Sequence, residues 1–522
     1  MDNELINLKN ENMSPKKESI TIILLCLIPM MIHFYVNAFA GYGYFRDELY
    51  YIKCSGADQL GLGYVDHPPF SIYVLFLSRL IFGDSLFAIR LIPALASSLT
   101  VLFTCLMVLK LGGRKTALII SSVCVIFAPV YLGMNSFYSM NCLDILLWSI
   151  SAYLVINIID QSKLSYWVLL GITIGIGLLN KIGFLWFGFG FLAGLILTDK
   201  RKELITVKPY LCALTSILIF SPFVIWNFMN DFAHLEFIRN AVSGKYSQLD
   251  AKDFISGQIL NMNPLSVIVW ITGLYYFLFN EEGRRYRILA IIYLTSFIIL
   301  IINGHSKAEY LAPAYTMLFA GGGVFIEKFS AVKFKWLKYA VIFSIIFAGI
   351  IIAPFALPIL PVEKFIEYSK KLGMTPSSSE DKELSELPQF YADMFGWEEL
   401  AMDISNVYLS LNEDERSKAV VFGQNYGQAG AVDFYSNKYP LPPAVSGHNS
   451  YWLWGFDKTE EPVIIIIGGN KDDLLKLFDY AEQALIHTAK YSMPYENNIP
   501  IFIAKNPKTP LDQLWKKIKH FD

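Results

Sequence analysis

Charge is what this 522-residue chain lacks most: only 17% of its residues are Asp, Glu, Lys or Arg, against roughly 25% in a typical soluble domain. What charge there is nearly cancels, to a formal net of -2 at pH 7, so the electrostatic footprint of a nucleic-acid-binding protein is missing. The 6 cysteines are Cys26, Cys54, Cys105, Cys124, Cys142 and Cys212, and no two form a CxxC pair. That spacing argues against a disulfide framework and against a thiolate zinc site, and leaves small buried hydrophobes. Gly468-Gly469 follows a strand-like run, but no GxGxxG or P-loop continues it, so a plain turn is expected. The first apolar segment, Ile20 to Ala40, has no small-residue cleavage site and is long for a signal peptide; it reads as a retained helix. No ligand cluster demands a metal, and no cofactor is expected.

What is present is hydrophobicity, at 54% of residues, and it is unevenly spread. Residues 19–360 are dominated by Leu, Ile, Phe, Val and Ala, whereas 361–522 read like a soluble protein. Apolar segments near 19–40, 86–109, 116–133, 142–159, 165–180, 182–198, 209–228, 263–280, 287–303, 311–326 and 339–358 are each long enough to approach a bilayer crossing, giving about eleven spans. Loops bearing Lys16-Lys17, Arg114-Lys115, Lys200-Arg201-Lys202, Arg284 to Arg287 and Lys333 to Lys338 fall on one side, which the positive-inside rule assigns to the cytoplasm. An odd span count then places the N-terminus inside and residues 41–85, 229–262 and 361–522 outside. The fold class expected is a polytopic α-helical membrane protein with two parts: a transmembrane region, 1–360, with a long first outer loop, 41–85, and an extracytoplasmic α/β domain, 361–522. In that domain, helices are expected near 381–413 and 471–486, and strands at 419–422 and 463–467. Asn449, Tyr451, Trp452 and Trp454 suit either sugar stacking or packing against the membrane part.

Ionisable residues at membrane depth are functional candidates, because burying them without partners costs several kcal/mol. The first outer loop carries Arg46, Asp47 and Glu48 just before Tyr50 and Tyr51, whose rings suit the membrane interface, on a stretch (45–59) expected to form a surface helix. A carboxylate there, partly shielded from water, can act as a base; the plainer reading is a solvated interfacial cluster. Asp66-His67 precedes Pro68-Pro69, which stops any helix, and the apolar run 70–82 that follows suggests a loop folded back on the membrane. Asp144, Lys181, and Lys307 with Glu309 come from different spans, yet all fall at outer ends. Converging acidic and basic groups suit an anionic ligand and a base; snorkelling side chains and local ion pairs are the alternative.

The stretches FRDELYY, GYVDHPPF, FGDSLFAIRLIPAL (82–95), MNCLDILLW (140–148), LLNKIGF (178–184), KAEYLAPAY (307–315), FGQNYGQAGAVDFY (422–435) and SGHNSYWLWG (446–455) resemble, in this order, bacterial GT-C glycosyltransferases related to protein O-mannosyltransferases and to the lipid A aminoarabinose transferases. The resemblance covers nearly the whole chain. It implies transfer of a sugar from a polyprenyl-phosphate carrier, by a single inverting displacement, to a lipid, protein or cell-wall glycan on the outer face of the membrane. It implies Asp47 as the catalytic carboxylate with Glu48 beside it, and Lys181 on the donor phosphate. Asp66 and His67 match an acidic-basic pair, with His67 standing where aminoarabinose transferases carry lysine; Asp144 matches an acidic position of the fourth span. The residues themselves add Lys307 as a second cation for an anionic head, and Arg46 beside the base. Two other classes compete: a secondary transporter, against which stands the lack of an internal repeat, and an envelope-binding membrane protein, which has no need of Asp47, Asp144 and Lys181 at one depth.

Overall fold

The computed structural model describes residues 15–245, 249–304, 306–374, 376, 383–456 and 461–522. His305 and the first two residues of the helix expected at 381–413 lie outside the described residues. Every apolar segment named above coincides with helix, but among the described residues only 6 helices are long and apolar enough to cross a membrane, or up to 8 if each of two bent pairs counts as one span. The difference from about eleven lies in breaks. The 116–133 segment splits into Lys115–Ile126 and Pro129–Met134, because Pro129 has no N–H to continue the helix and suits a first turn instead. Leu164–Asn180 ends where Lys181 adopts extended backbone, φ -155°. The helix Tyr315–Val332 is preceded by a 3-10 turn, Ala308–Ala314, that contains Pro313. The run after Pro68-Pro69 forms a helix of its own, Phe70–Phe82.

Helix Met140–Gln161 is the centre of the bundle, with 89% of its most apolar window buried, against 22% for Lys16–Phe39 and for Lys208–Met229. Backbones approach closely where glycine allows: a Cβ on Gly273 would lie 2.0 Å from the Leu318 carbonyl oxygen, and one on Gly322 would lie 1.9 Å from that of Val269. Such reciprocal small-residue contacts are how membrane helices gain packing without a hydrophobic drive between them.

The C-terminal region holds a five-stranded mixed sheet, β1 (Ala419–Gly423), β2 (Ala444–Ser446), β3 (Val463–Ile467), β4 (Phe478–His487) and β5 (Ile499–Pro507), in the order β2-β1-β3-β5-β4. β1 runs parallel to β2 and β3, while β5 is antiparallel to β3 and β4. The helix expected over 471–486 stops at Leu477, and the rest is strand β4. Ala481, Glu482, Gln483, Ala484 and Leu485 favour helix by propensity, but pairing with β5 along the sheet edge overrides it. The helix expected over 381–413 is confined to Gln389–Ala392 and Trp397–Ser410, interrupted by Gly396 at φ 90°. Asn449, Tyr451, Trp452 and Trp454 sit in packing contacts: Trp452 Nε1 donates to the Trp515 carbonyl at 2.9 Å, and Tyr451 stacks edge-on against Trp454.

Packing does not follow the compositional boundary at 360. The surface helix expected over 45–59 forms only over Arg46–Cys54 and is largely buried: Tyr50 and Tyr51 are 1% and 4% exposed and lie in protein, not in a membrane interface. Leu49, Tyr50 and Ile52 share one hydrophobic core with Val421, Ala429, Val432, Ile465 and Ile501 of the sheet region. The facing helix, Tyr426–Tyr435, achieves this through Gly427 and Gly430. A Cβ on Gly427 would meet Arg46 Cγ at 2.5 Å, and one on Gly430 would meet the Leu49 backbone at 3.2 Å.

Candidate active site where the first loop meets the C-terminal region

The surface helix begins at Phe45 and presents Arg46, Asp47 and Glu48 in its first turn, where carboxylates are favoured by the helix dipole. The three side chains have different fates. Asp47 is the open one, with 34% of its side chain exposed. Its Oδ1 accepts a hydrogen bond from the Tyr426 hydroxyl at 2.9 Å and lies 3.6 Å from Arg46 Nε. Arg46 turns back into the protein. It donates to the Tyr495 hydroxyl at 2.9 Å, stands 3.9 Å from Asp393, and its guanidinium lies 5.6 Å from the Tyr426 ring centre.

Glu48 was expected beside Asp47 as a second catalytic carboxylate; instead it is fully buried. Oε1 accepts from Arg90 Nε at 2.9 Å and from the Tyr138 N–H at 2.7 Å. Oε2 accepts from Arg90 Nη2 at 2.8 Å and from the Phe45 N–H at 2.9 Å. Four donors on two oxygens exhaust what a carboxylate can accept. Arg90, itself 1% exposed, also donates to the Gly43 carbonyl at 2.8 Å. Glu48 thus ties the first loop to the Leu86–Lys110 span and to the segment that leads into the central helix.

Asp66 faces the same surface helix: its Oδ1 accepts from the Tyr50 hydroxyl at 2.9 Å and lies 3.9 Å from His67 Nε2. His67 is completely buried, stacked on Tyr51 at 4.6 Å, with Nδ1 3.0 Å from its neighbour's carbonyl, Pro68 O. His234, in the segment after the Lys208–Met229 helix, joins this group through Nδ1, 2.8 Å from the Val65 carbonyl. Burial lowers its pKa, opposed by that hydrogen bond and by Asp66.

A second cluster sits at the start of the central helix. Lys181 Nζ donates to Asn141 Oδ1 at 2.8 Å, lies 3.8 Å from Asp144 Oδ2, and stands 4.8 Å from the Tyr310 ring centre. Asp144 is 5% exposed at its side chain and Lys181 15%, so the ammonium keeps an opening that the carboxylate lacks. Lys307, half-buried, stands at the start of the 3-10 turn that carries Tyr310. The two clusters meet at residues 138–141: the Tyr138 N–H binds Glu48, next to Asp47, and Asn180, next to Lys181, donates to the Met140 carbonyl at 2.8 Å.

Among the described residues, one group of histidine and carboxylate side chains, His448, His520 and Asp522, is close enough to hold a metal ion. As built, it is a hydrogen-bonded set. His448 Nδ1 receives the Tyr426 N–H at 3.4 Å, so its Nε2 carries the proton and meets the Asp522 carbonyl oxygen at 3.0 Å. A metal-ligating imidazole instead donates through its other nitrogen.

Six of the partners above were not singled out as functional from sequence: Arg90, Asn141, His234, Tyr310, Asp393 and Tyr426. Arg90, Asn141, Tyr310 and Tyr426 lie inside the motif stretches, which was the available signal. His234 and Asp393 lie far from any motif and become visible only through their neighbours.

The architecture is that of a polytopic membrane protein of the GT-C type. The model of the dolichyl-phosphate-mannose-protein mannosyltransferase family matches residues 66–226. Over 175 residues the chain is 26% identical to undecaprenyl phosphate-alpha-4-amino-4-deoxy-L-arabinose arabinosyl transferase of Pseudomonas savastanoi pv. phaseolicola, a match covering 32% of this chain and 30% of that one. The namesake from Erwinia tasmaniensis is 26% identical over 174 residues, 32% of this chain and 31% of that one. The chain thus spans under a third of the curated relatives it matches. In three dimensions the likeness is wider: ArnT from Cupriavidus metallidurans, in a crystal structure with bound undecaprenyl phosphate, superposes with a TM-score of 0.59 at 11% identity, over 94% of this chain and 98% of that one. These matches relate the chain to the GT-C superfamily, on the side of the mannosyltransferases and aminoarabinose transferases.

Proposed function

We propose that this chain is an integral-membrane glycosyltransferase that takes a sugar from a polyprenyl-phosphate carrier and gives it to a hydroxyl acceptor on the outer face of the membrane. What supports this reading is that the short segment 138–141 is held by Glu48, the neighbour of the open carboxylate Asp47, and by Lys181, a partly open cation, with its neighbour Asn180. Asp47 takes the proton of the acceptor hydroxyl. The acceptor oxygen forms a bond to the anomeric carbon while the bond from that carbon to the phosphate oxygen breaks. The carrier phosphate leaves as an anion, and a single displacement of this kind inverts the anomeric centre. Lys181 and Lys307 stabilise the charge that develops on the phosphate. Asn141, Asp144 and Tyr310 hold the Lys181 ammonium in place. Asp66 with His67 lines the other side. Glu48 positions Asp47 from beneath, and Arg46 braces it from the C-terminal side. The acceptor is a lipid, a protein or a cell-wall glycan; membrane lipids surround the bundle.

The carrier is tested with undecaprenyl phosphate itself, titrated against the purified full chain. Replacing Lys181 by Ala removes the ammonium and is expected to weaken binding by about 2 kcal/mol or more, roughly 30-fold. Lys181→Arg recovers only part of it, since a planar guanidinium does not replace a compact ammonium held by Asn141. Unchanged binding by Lys181→Ala sinks the phosphate assignment.

Orientation is tested with a membrane-impermeant maleimide on intact cells. Cysteine at the exposed Asp472 is expected to label from outside, and cysteine at the exposed Lys202 only after lysis. The reverse pattern places the C-terminal region in the cytoplasm and removes the outer-face acceptor.

A further inference from the structure

We infer that Tyr426, from the C-terminal region, is a positioning residue for the reaction, holding one oxygen of Asp47 so that the other faces the acceptor. This rests on the reading of Asp47 as the base. The placement is built at every step. Asn425 caps the Tyr426–Tyr435 helix, accepting from the Gly427 and Gln428 N–H groups at 2.9 and 3.0 Å. The buried Glu496 fixes that cap, accepting from Asn425 Nδ2 at 2.7 Å and from Gln428 Nε2 at 2.8 Å. Glu496 is held by these two neutral amides, and burial raises its pKa. Gly427 and Gly430 bring this helix against Arg46 and Leu49. The Tyr426 ring stacks on Tyr50 at 4.7 Å and 28°, with the Arg46 guanidinium 5.6 Å and the His448 ring 4.6 Å from its centre, so three neighbours set its direction.

What the ring then delivers is one hydroxyl, 2.9 Å from Asp47 Oδ1. Arg46 Nε approaches that same oxygen, at 3.6 Å. Both named contacts therefore fall on Oδ1, and the side chain keeps 34% of its surface exposed for an incoming group. A base that must meet an incoming hydroxyl within hydrogen-bond reach gains from such fixed geometry. Tyr50, which stacks on Tyr426, also donates to Asp66, so the two tyrosines align the carboxylates of both loop segments.

The test is Tyr426→Phe, which keeps the ring, its stack and its packing and removes only the hydroxyl. Transfer is measured with full-length protein in vesicles. The donor is the polyprenyl-phosphate-sugar fraction extracted from the source organism, and the acceptor is membranes from a strain lacking the chain. Turnover at saturating donor is expected to fall roughly 10-fold, the scale of a hydrogen bond to a charged group, with the half-saturating donor concentration and the thermal midpoint unchanged. Asp47→Asn and the double variant run beside it. The double variant is expected to be no slower than Asp47→Asn alone, because Tyr426 acts through Asp47. Wild-type turnover for Tyr426→Phe with Asp47→Asn impaired overturns the inference and leaves the function standing. A loss that follows a lowered thermal midpoint, or independent additive losses in the double variant, also overturns it. Full activity in Asp47→Asn rules Asp47 out as the base and removes the inference with it, while the transfer activity itself stands.

Discussion

Asp47→Asn is expected to lower sugar transfer by about 10²–10⁴-fold, the range that positioned general-base catalysis contributes. The substitution is close to isosteric, and the amide oxygen still accepts the Tyr426 hydroxyl that now meets Oδ1 at 2.9 Å. What it cannot do is take up the acceptor proton as a carboxylate does. Binding of undecaprenyl phosphate is expected to persist, since the cation assigned to it, Lys181, is held by Asn141 and Asp144 on the central helix. Transfer at the wild-type rate, in protein shown by size-exclusion chromatography to be folded, rules Asp47 out as base.

Glu48→Gln is expected to act on folding before chemistry. It leaves the Arg90 guanidinium, 1% exposed, without its counter-charge. Breaking one side of a buried pair costs about 3–5 kcal/mol, a large part of the roughly 5–15 kcal/mol that a folded protein has in hand. The expected result is a sharp drop in the thermal midpoint of the detergent-solubilised protein, and in the yield of monodisperse material. Replacing both residues, Glu48→Met with Arg90→Met, is expected to be milder than either charge-orphaning change, because no buried ion remains. A Glu48→Gln protein of normal thermal midpoint that fails to transfer sugar would contradict the positioning role and return Glu48 to the chemistry.

These two neighbours show what the sequence could and could not yield. Asp47 and Glu48 are alike as letters, and position in a first helical turn favours both. They are separated by what faces them: for Asp47 a hydroxyl 379 positions away in the chain, for Glu48 an arginine 42 away. Nothing local encodes either distance. Membrane segments were legible because twenty apolar residues are a local signal, whereas their breaks at Lys181 and before Pro129 depended on backbone detail that hydropathy averages away. Lys181 and Asp144 stood out because an ion in an apolar run is itself the signal; Asn141, which accepts the Lys181 ammonium's hydrogen bond at 2.8 Å, is neutral and did not. Strand β4 was misread for the opposite reason: its local signal is clear and helical, and its pairing with β5 is not local at all. Tyr50 and Tyr51 look like interfacial residues until the C-terminal region covers them.

The close seating of Gly427 and Gly430 on the surface helix has a consequence for the order in which the protein is made. The ribosome finishes the Arg46–Cys54 helix early and must complete nearly four hundred further positions, on the order of twenty seconds or more of synthesis, before Tyr426 reaches Asp47. Through that interval Leu49 and Tyr50 await the core they will join. A chain released prematurely, with every span inserted, would carry the carboxylate and the cation yet lack the hydroxyl that orients the first. The contact between Tyr426 and Asp47 thus forms late relative to the helix that carries Asp47, because its two ends lie 379 positions apart in the chain.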